Sequence, residues 1–319
     1  MAVVSKRTGG YDSFMEMIFD SHLHFFTREV IRFYSQQSPE FSQLKDPTDC
    51  ASDQLGIFPP PENPQELAKL WVKELDRNRV SRAVLFGSIL GEQASIGKAI
   101  KLFPNRFVGF QLVDPTNPAA PDIVEDIVSK KLSGLLLFPA LHHFFPDDPS
   151  CVRLYELARK FKLIVFVHIG VLKILIQEKL GGSNQCIQEF GDAQRLGSVL
   201  SKFPEVSFIV PHFGCGQLDG LIEPARESRN LYLDTSSSNN WLQHNSKFSN
   251  LKELFENVLE EKAFGIERLL FGTDSTVFPR GWRKDIYEIQ RKALDDLGVT
   301  SNDLSLFLNK NLEKLVKRF

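Results

Sequence analysis

Residues 17–26 read MIFDSHLHFF. Met17, Ile18 and Phe19 open the stretch as the start of a buried strand, and it runs into two histidines one residue apart. Successive side chains of a strand point to opposite faces, so His22 and His24 share a face and can reach one common object. Imidazole is the commonest protein ligand for zinc and its relatives, which makes a metal ion the first candidate. Alone, a His-x-His pair reads more often as two surface or core histidines, so its meaning depends on what else arrives at the same place.

Seven further apolar runs follow: RAVLFGS (82–88), RFVGFQLV (106–113), SGLLLFPA (133–140), KLIVFVHIG (162–170), VSFIVPHFG (206–214), NLYLDTSS (230–237) and RLLFGTDS (268–275). Between the runs lie segments with helical spacing, over 64–79, 92–103, 118–130, 149–161, 187–203, 216–228, 249–263 and 281–297. Continuously apolar strands that alternate with helices imply a parallel sheet buried on both faces, and eight such units predict a closed (β/α)8 TIM barrel. An open doubly wound sheet is the competitor. The polar residues decide between them. His22 and His24 follow the first run, His168 ends the fifth, His212 ends the sixth and Asp274 ends the eighth. In a barrel these carboxyl ends converge on one mouth, whereas in an open sheet the first and eighth strands lie far apart.

The whole chain, 1–319, reads as a single barrel domain. Residues 25–63 are far longer than an ordinary strand-to-helix loop and are expected to fold over the mouth, and residues 171–186 lengthen the loop after the fifth strand. The tail is expected to form amphipathic helices on the barrel's outside, capped at Ser301 or Asn302. With 42% hydrophobic and 24% charged residues, the composition is that of a globular protein with a sizeable core. Lys+Arg 38 against Asp+Glu 40 gives a formal net charge of -2, so no global field favours nucleic acid or an anionic membrane surface. No apolar run is long enough for a membrane span, and the N-terminus lacks a secretory signal, which places the protein in the cytoplasm. Cys50, Cys151, Cys186 and Cys215 are scattered, with no metal-knuckle or disulfide spacing, and read as free thiols.

Taken in order, FDSHLH, VHIG, PHFGCG, LYLDTSS and LLFGTDS resemble the amidohydrolase superfamily, in its amidohydrolase-related branch of metal-dependent hydrolases and decarboxylases. NRFVGFQLVDPTNPAA and DDPSCVRLYELARKFKLIVFVHIG agree with that branch's third strand and its fourth helix and fifth strand, so the likeness runs from about residue 18 to 319. The resemblance implies His22, His24 and His168 as metal ligands, Asp274 as both ligand and proton acceptor, and His212 as the histidine that polarises the substrate or moves a proton. It implies one divalent ion, zinc first, with manganese or iron as alternatives. The fourth strand carries Leu135, Leu136, Leu137 and Phe138 where binuclear members place a lysine or glutamate, so a single ion is expected. Three neutral imidazoles and a carboxylate leave an open position, where a bound water has its pKa lowered to about 7.

Further candidates surround the mouth. His143, Trp241, Arg280 and Trp282 are expected to bind substrate, the tryptophans as an aromatic wall and Arg280 as a carboxylate clamp. His142, Arg28 and Arg32 are similar candidates, while Cys215 reads as structural, and Asp20 and Asp234 as residues that hold backbone or ligands. The function expected is hydrolysis of an ester, lactone or amide of a small organic acid by metal-activated water. The alternative is non-oxidative decarboxylation at the same mononuclear site, and a third possibility, a barrel that binds without chemistry, predicts missing ligands. The expected partner is a small molecule, with a homodimer open.

Overall fold

Strand order follows chain order around the sheet: β1 (Ile18–His24), β2 (Val80–Gly87), β3 (Phe107–Leu112), β4 (Gly134–Leu137), β5 (Ile164–Val167), β6 (Phe208–Val210), β7 (Leu231–Asp234) and β8 (Leu269–Leu270), all parallel. The computed structural model describes residues 17–237, 242–244, 247–260 and 264–317. Beyond Leu270 the chain leaves regular strand geometry but keeps pairing with β1. The amides of Ser21, His24 and Asp274 donate to the carbonyls of Phe271, Ser275 and His22 at 2.9, 2.8 and 2.9 Å. A parallel bridge joins Leu23 to Ser275. These bonds close a (β/α)8 TIM barrel, and closure removes the edge strands of the competing open sheet.

Both faces of the strands are buried, which is why they read as unbroken apolar runs. Inward-facing Phe19, Phe86, Phe110 and Phe166 fill the barrel's centre. Outward-facing Leu85, Leu135, Val165 and Phe208 pack beneath the helices. Each such side chain contributes about 2 kcal/mol by leaving water. The helix Pro64–Arg77 shows how the outer layer is made: the Asn63 side chain accepts from the Gln65 amide, proline occupies the first turn, and Leu67, Trp71 and Leu75 fall on one face.

One expected helix is broken. Over 187–203 the chain makes two short turns, Gln188–Gly191 and Ala193–Arg195, before the helix Leu196–Lys202. Gly191 lies against the Gly170 backbone, where a Cβ would come within 2.7 Å of the carbonyl oxygen, and Asp192 caps the Gln194 amide at 2.9 Å. That close approach, invisible to periodicity, sets the break. The tail also differs from expectation. Its cap is Thr300, which accepts from the Asp303 amide, and Leu312 and Leu315 join Phe19 and Leu270 in the barrel's inner cluster instead of lying outside it. Asn311 fastens the tail to the carbonyls of Ile266 and Leu269 at 2.8 and 2.9 Å.

The two long loops carry structure of their own. Helices Arg28–Ser35 and Thr48–Leu55 lie within 25–63, and Leu175–Lys179 lies within 171–186. Val30, Ile31, Tyr34, Phe41 and Ala51 of the first loop bury Leu180 of the second in a separate apolar cluster. Gln177 Nε2 donates to Gln37 Oε1 at 2.8 Å, and Gln54 Nε2 to the Lys179 carbonyl at 2.9 Å. Since the loops follow β1 and β5, on opposite sides of the barrel, together they arch across the mouth. Among the described residues, no helix is long and apolar enough to cross a membrane.

Candidate metal centre and active site

The register of β1 shifts between Asp20 and Leu23. This irregularity resets the alternation, so that the face carrying Phe19 lower down carries His22 and His24 at the top, while Leu23 turns outward into the helical layer. His22 Nε2 and His24 Nε2 stand 3.2 Å apart. Asp274 Oδ1 lies 3.2 Å from His24 Nε2 and 3.6 Å from His22 Nε2. The three residues form a group that could hold a metal ion. A tetrahedral ion about 2.1 Å from each atom sets its ligands about 3.4 Å apart, so the spacing fits.

The hydrogen bonds behind the rings strengthen the fit. His24 Nδ1 meets Ser88 Oγ at 2.6 Å, and Ser88 Oγ directs its own proton towards the Phe86 carbonyl. His22 Nδ1 meets Ser236 Oγ at 2.8 Å and Asp234 Oδ1 at 3.4 Å. The Ser236 hydroxyl donates to Asp234 and accepts from both His22 Nδ1 and His212 Nδ1, the latter at 3.0 Å. Serine has one proton and two lone pairs, so this accounting puts the proton of each imidazole on Nδ1. With both rings neutral, their Nε2 lone pairs face the Asp274 carboxylate, an arrangement that either a proton on one ring or a bound cation relieves. Ser21 also donates to Asp234.

Burial pulls His24, His168 and His212 below the ordinary imidazole value, His168 well below it. Neutral imidazole is the form that ligates metal. Burial also lowers His22, but the Asp234 charge and hydrogen bond, with Asp274 and Asp20, leave it above the ordinary value. Burial raises Asp274, yet the His24 hydrogen bond and the charges of His22, His24 and His212 hold it well below the usual carboxylate range.

His168 and His212 complete the floor. Their ring centroids are 5.2 Å apart, as are those of His22 and His212. Among the described residues, the buried His168 Nδ1 atom has no hydrogen-bond partner, which fits a role in holding an ion, although His168 is not among the closely grouped donor atoms. His212 Nδ1 also points at the Ser236 carbonyl, 3.0 Å away. In that tautomer neutral His212 accepts at Nε2, and it donates to an oxyanion only after protonation. His212 and Asp274 both have left-handed backbones, φ 55 and 59. For side chains other than glycine this costs on the order of 1–3 kcal/mol each and occurs where surroundings demand it. Gly272 explains part of the demand: a Cβ there would collide with Asp234 Oδ2 and Ser21 Oγ.

The remaining expected residues scatter. Arg280 lines the same cavity as the histidines, and its only hydrogen bond among the described residues goes to Thr276 Oγ1. Trp282 does not form a substrate wall. It is 3% exposed, and its indole Nε1 donates to Asp20 Oδ2 at 2.8 Å, locking the loop after β8 to β1. Asp20 also accepts from the Thr273 hydroxyl and the His22 amide, so it braces the site as its strand position suggested. His143 is exposed, bonded to the Gln185 carbonyl at 2.8 Å, and outside the cavity. Arg28 and Arg32 are engaged with Asp46, Asp49 and Glu29. Trp241 lies outside the described residues. The sequence reading missed Ser88 and Ser236, which stand, like the histidines, just beyond strand carboxyl ends; that position is the signal that could have found them.

The cavity has a volume of ≈ 860 Å³ and is roofed by both long loops. The amidohydrolase family model matches residues 19–317. No curated protein matches the chain. Solved structures show the same fold at low identity. A probable 2-pyrone-4,6-dicarboxylic acid hydrolase of Acinetobacter baumannii with citric acid bound is 15% identical, covering 94% of this chain and 99% of its own, with a TM-score of 0.61. A 5-carboxyvanillate decarboxylase of Sphingomonas paucimobilis is 14% identical over 95% and 99%, with a TM-score of 0.63. An amidohydrolase of Burkholderia multivorans with bound zinc is 13% identical over 94% and 99%, also at 0.63.

Proposed function

The chain belongs to the amidohydrolase family, and from that premise we propose that it is a metal-dependent hydrolase cleaving an ester, lactone or amide of an organic acid. The observation that carries this reading is the approach of Asp274 Oδ1 to His24 Nε2 and His22 Nε2, at 3.2 and 3.6 Å. His22, His24 and Asp274 would hold one divalent ion, zinc first, with His168 as the further ligand. The all-leucine inner end of β4, Leu135 to Leu137, offers no donor for a second ion. When bound, such an ion supplies an acidified water and a Lewis acid for the carbonyl oxygen.

The chain's own residues manage the protons. Asp274, ionised, accepts the proton released as water adds to the carbonyl carbon and returns it to the departing oxygen or nitrogen. His212, its Nδ1 proton held by Ser236, presents a neutral Nε2 lone pair to the site and can there accept a hydrogen bond from the attacking water or from a substrate hydroxyl or amide. We place this chemistry in the cytoplasm.

A second reading, a carboxy-lyase, is supported by Arg280, whose guanidinium has no carboxylate partner among the described residues and lies near enough to Asp274 and His24 to influence both. Structures named as a hydrolase and as a decarboxylase share this fold, so ligand identity does not separate the two. The test is elemental analysis of purified protein followed by turnover assays of the metal-loaded form on a panel of aryl esters, lactones and aromatic acids. About one equivalent of metal with acid release from an ester or lactone, lost in Asp274→Asn, is expected. Release of CO2 instead selects the second reading, and failure to retain metal after reconstitution overturns both.

A further inference from the structure

The cavity is more specific than its floor. It is near the upper end of ordinary ligand cavities, about 300–1,000 Å³, at ≈ 860 Å³. A small acid seated on the histidines leaves much of that space empty. The floor, built from strand ends, is polar. The walls above it, supplied by the two arching loops, are apolar: Phe26, Tyr34, Leu55, Ile57, Leu172 and Ile174. These side chains pack against the loops' own cluster or the barrel's inner cluster, so the chamber is built and not a chance opening.

Charge completes the description. Among the described residues lining the cavity, Asp274 is the only acidic one, and it is committed to the histidines. Of the two arginines among the described lining residues, Arg283 is clamped by Asp285, its Nε 3.1 Å from Oδ1, while Arg280 meets, among the described residues, only the Thr276 hydroxyl. Lys173 and Lys179 are exposed, as Arg280 is, but they stand on the second loop, whereas the Arg280 charge reaches Asp274 and His24 on the floor. A hydrated ammonium attracts anions over distance more than it grips them, whereas a guanidinium offers a planar fork that matches a carboxylate. One uncommitted guanidinium at the reacting end provides for one carboxylate.

We infer that the substrate is an amphipathic monocarboxylate, gripped at its carboxylate by Arg280 and carrying a bulky apolar body that fills the chamber beneath the loops. This rests on the proposed active site but does not depend on which bond is broken there. It sets the chain apart from polycarboxylate ligands such as the dicarboxylic acid and citric acid named for one of the similar structures.

The test is calorimetric titration of the metal-loaded protein with three probes: benzoate, biphenyl-4-carboxylate and citrate. Biphenyl-4-carboxylate is expected to bind at least tenfold more tightly than either of the others. Arg280→Met is expected to weaken both aromatic acids tenfold or more, and Ile57→Asp to weaken biphenyl-4-carboxylate while leaving benzoate within twofold. Leu175→Asp provides a second wall variant, because a side chain 55% exposed is not needed for folding, and it is expected to act in the same direction. Tightest binding of citrate, equal binding of the two aromatic acids, no binding of any probe, or an unchanged ranking in both wall variants would overturn the inference. A protein that holds one metal ion but prefers citrate fails this inference alone. One that holds no metal yet ranks the acids as expected fails only the reading of its chemistry.

Discussion

The amide of Asp274 donates a 2.9 Å hydrogen bond to the carbonyl of His22. The bond belongs to the seam that closes the barrel, and the side chains on either side of it are the carboxylate and imidazole that meet at the candidate metal centre. Closing the fold and assembling the site are therefore one event, and perturbing the seam should register in both.

Asp274→Asn is expected to preserve the fold, because asparagine tolerates the left-handed backbone that Asp274 adopts. It removes the proposed proton acceptor and weakens a proposed ligand. Turnover should fall by about 10²–10⁴-fold with an unchanged circular dichroism spectrum; retention of more than a tenth of the activity would remove Asp274 from the chemistry.

Ser236→Ala deletes the hydroxyl that receives the Nδ1 protons of His22 and His212. Loss of such a partner behind a ligand typically costs about 10–100-fold in metal affinity. Competition with a fluorescent zinc chelator measures this directly, and wild-type affinity would show that Asp234 and the Ser236 carbonyl suffice to orient the two rings.

Glu92 is buried beneath the start of the first loop, accepting from Thr27 Oγ1 at 2.6 Å and the Ser88 amide at 2.8 Å. Burial, outweighing those bonds, pushes its carboxyl up to about 7. The folded chain thus holds this proton more tightly than the unfolded chain, where the group titrates near about 4.3. Its contribution to stability is full below that value and is lost as pH rises through about 7. In thermal melts at pH 5 and pH 8, the difference between Glu92→Gln and wild type should shift in favour of the variant at the higher pH; a difference independent of pH would contradict the assignment.

Trp282→Phe separates a brace from a substrate wall. Losing the indole donor to buried Asp20 should cost about 1–3 kcal/mol in denaturant melts, with the affinity for biphenyl-4-carboxylate unchanged within twofold. A selective loss of affinity would return Trp282 to the binding surface.

The barrel was legible because burial on both sheet faces leaves a plain mark, eight apolar runs, and because His22, His24, His168, His212 and Asp274 stand where those runs end. Other features left no such mark. The shift within β1 that aims both histidines inward costs no unusual residue. Trp282 and Arg280 sit two positions apart in one loop, yet one turns into the core and the other towards the cavity, a choice made by Asp20 on a strand some 260 residues away in sequence. His143 was placed near the mouth by strand order, but its bond to the Gln185 carbonyl draws it to the outer side of the second loop. Ser88 and Ser236 are ordinary serines until the rings they hold are in view.

The roof over the site is rooted at two opposite points of the barrel, after β1 and after β5, and its halves meet where Gln37 faces Gln177 and Leu180 enters the first loop's cluster. A cover of that kind cannot swing on a single hinge. It is two leaves joined along a midline, held by one amide pair, one carbonyl bond from Gln54 and the packing of Leu180, Ile174 and Ile176 against the first loop's cluster. The hydrogen bonds that keep the roof in one piece thus lie apart from the histidines of the floor.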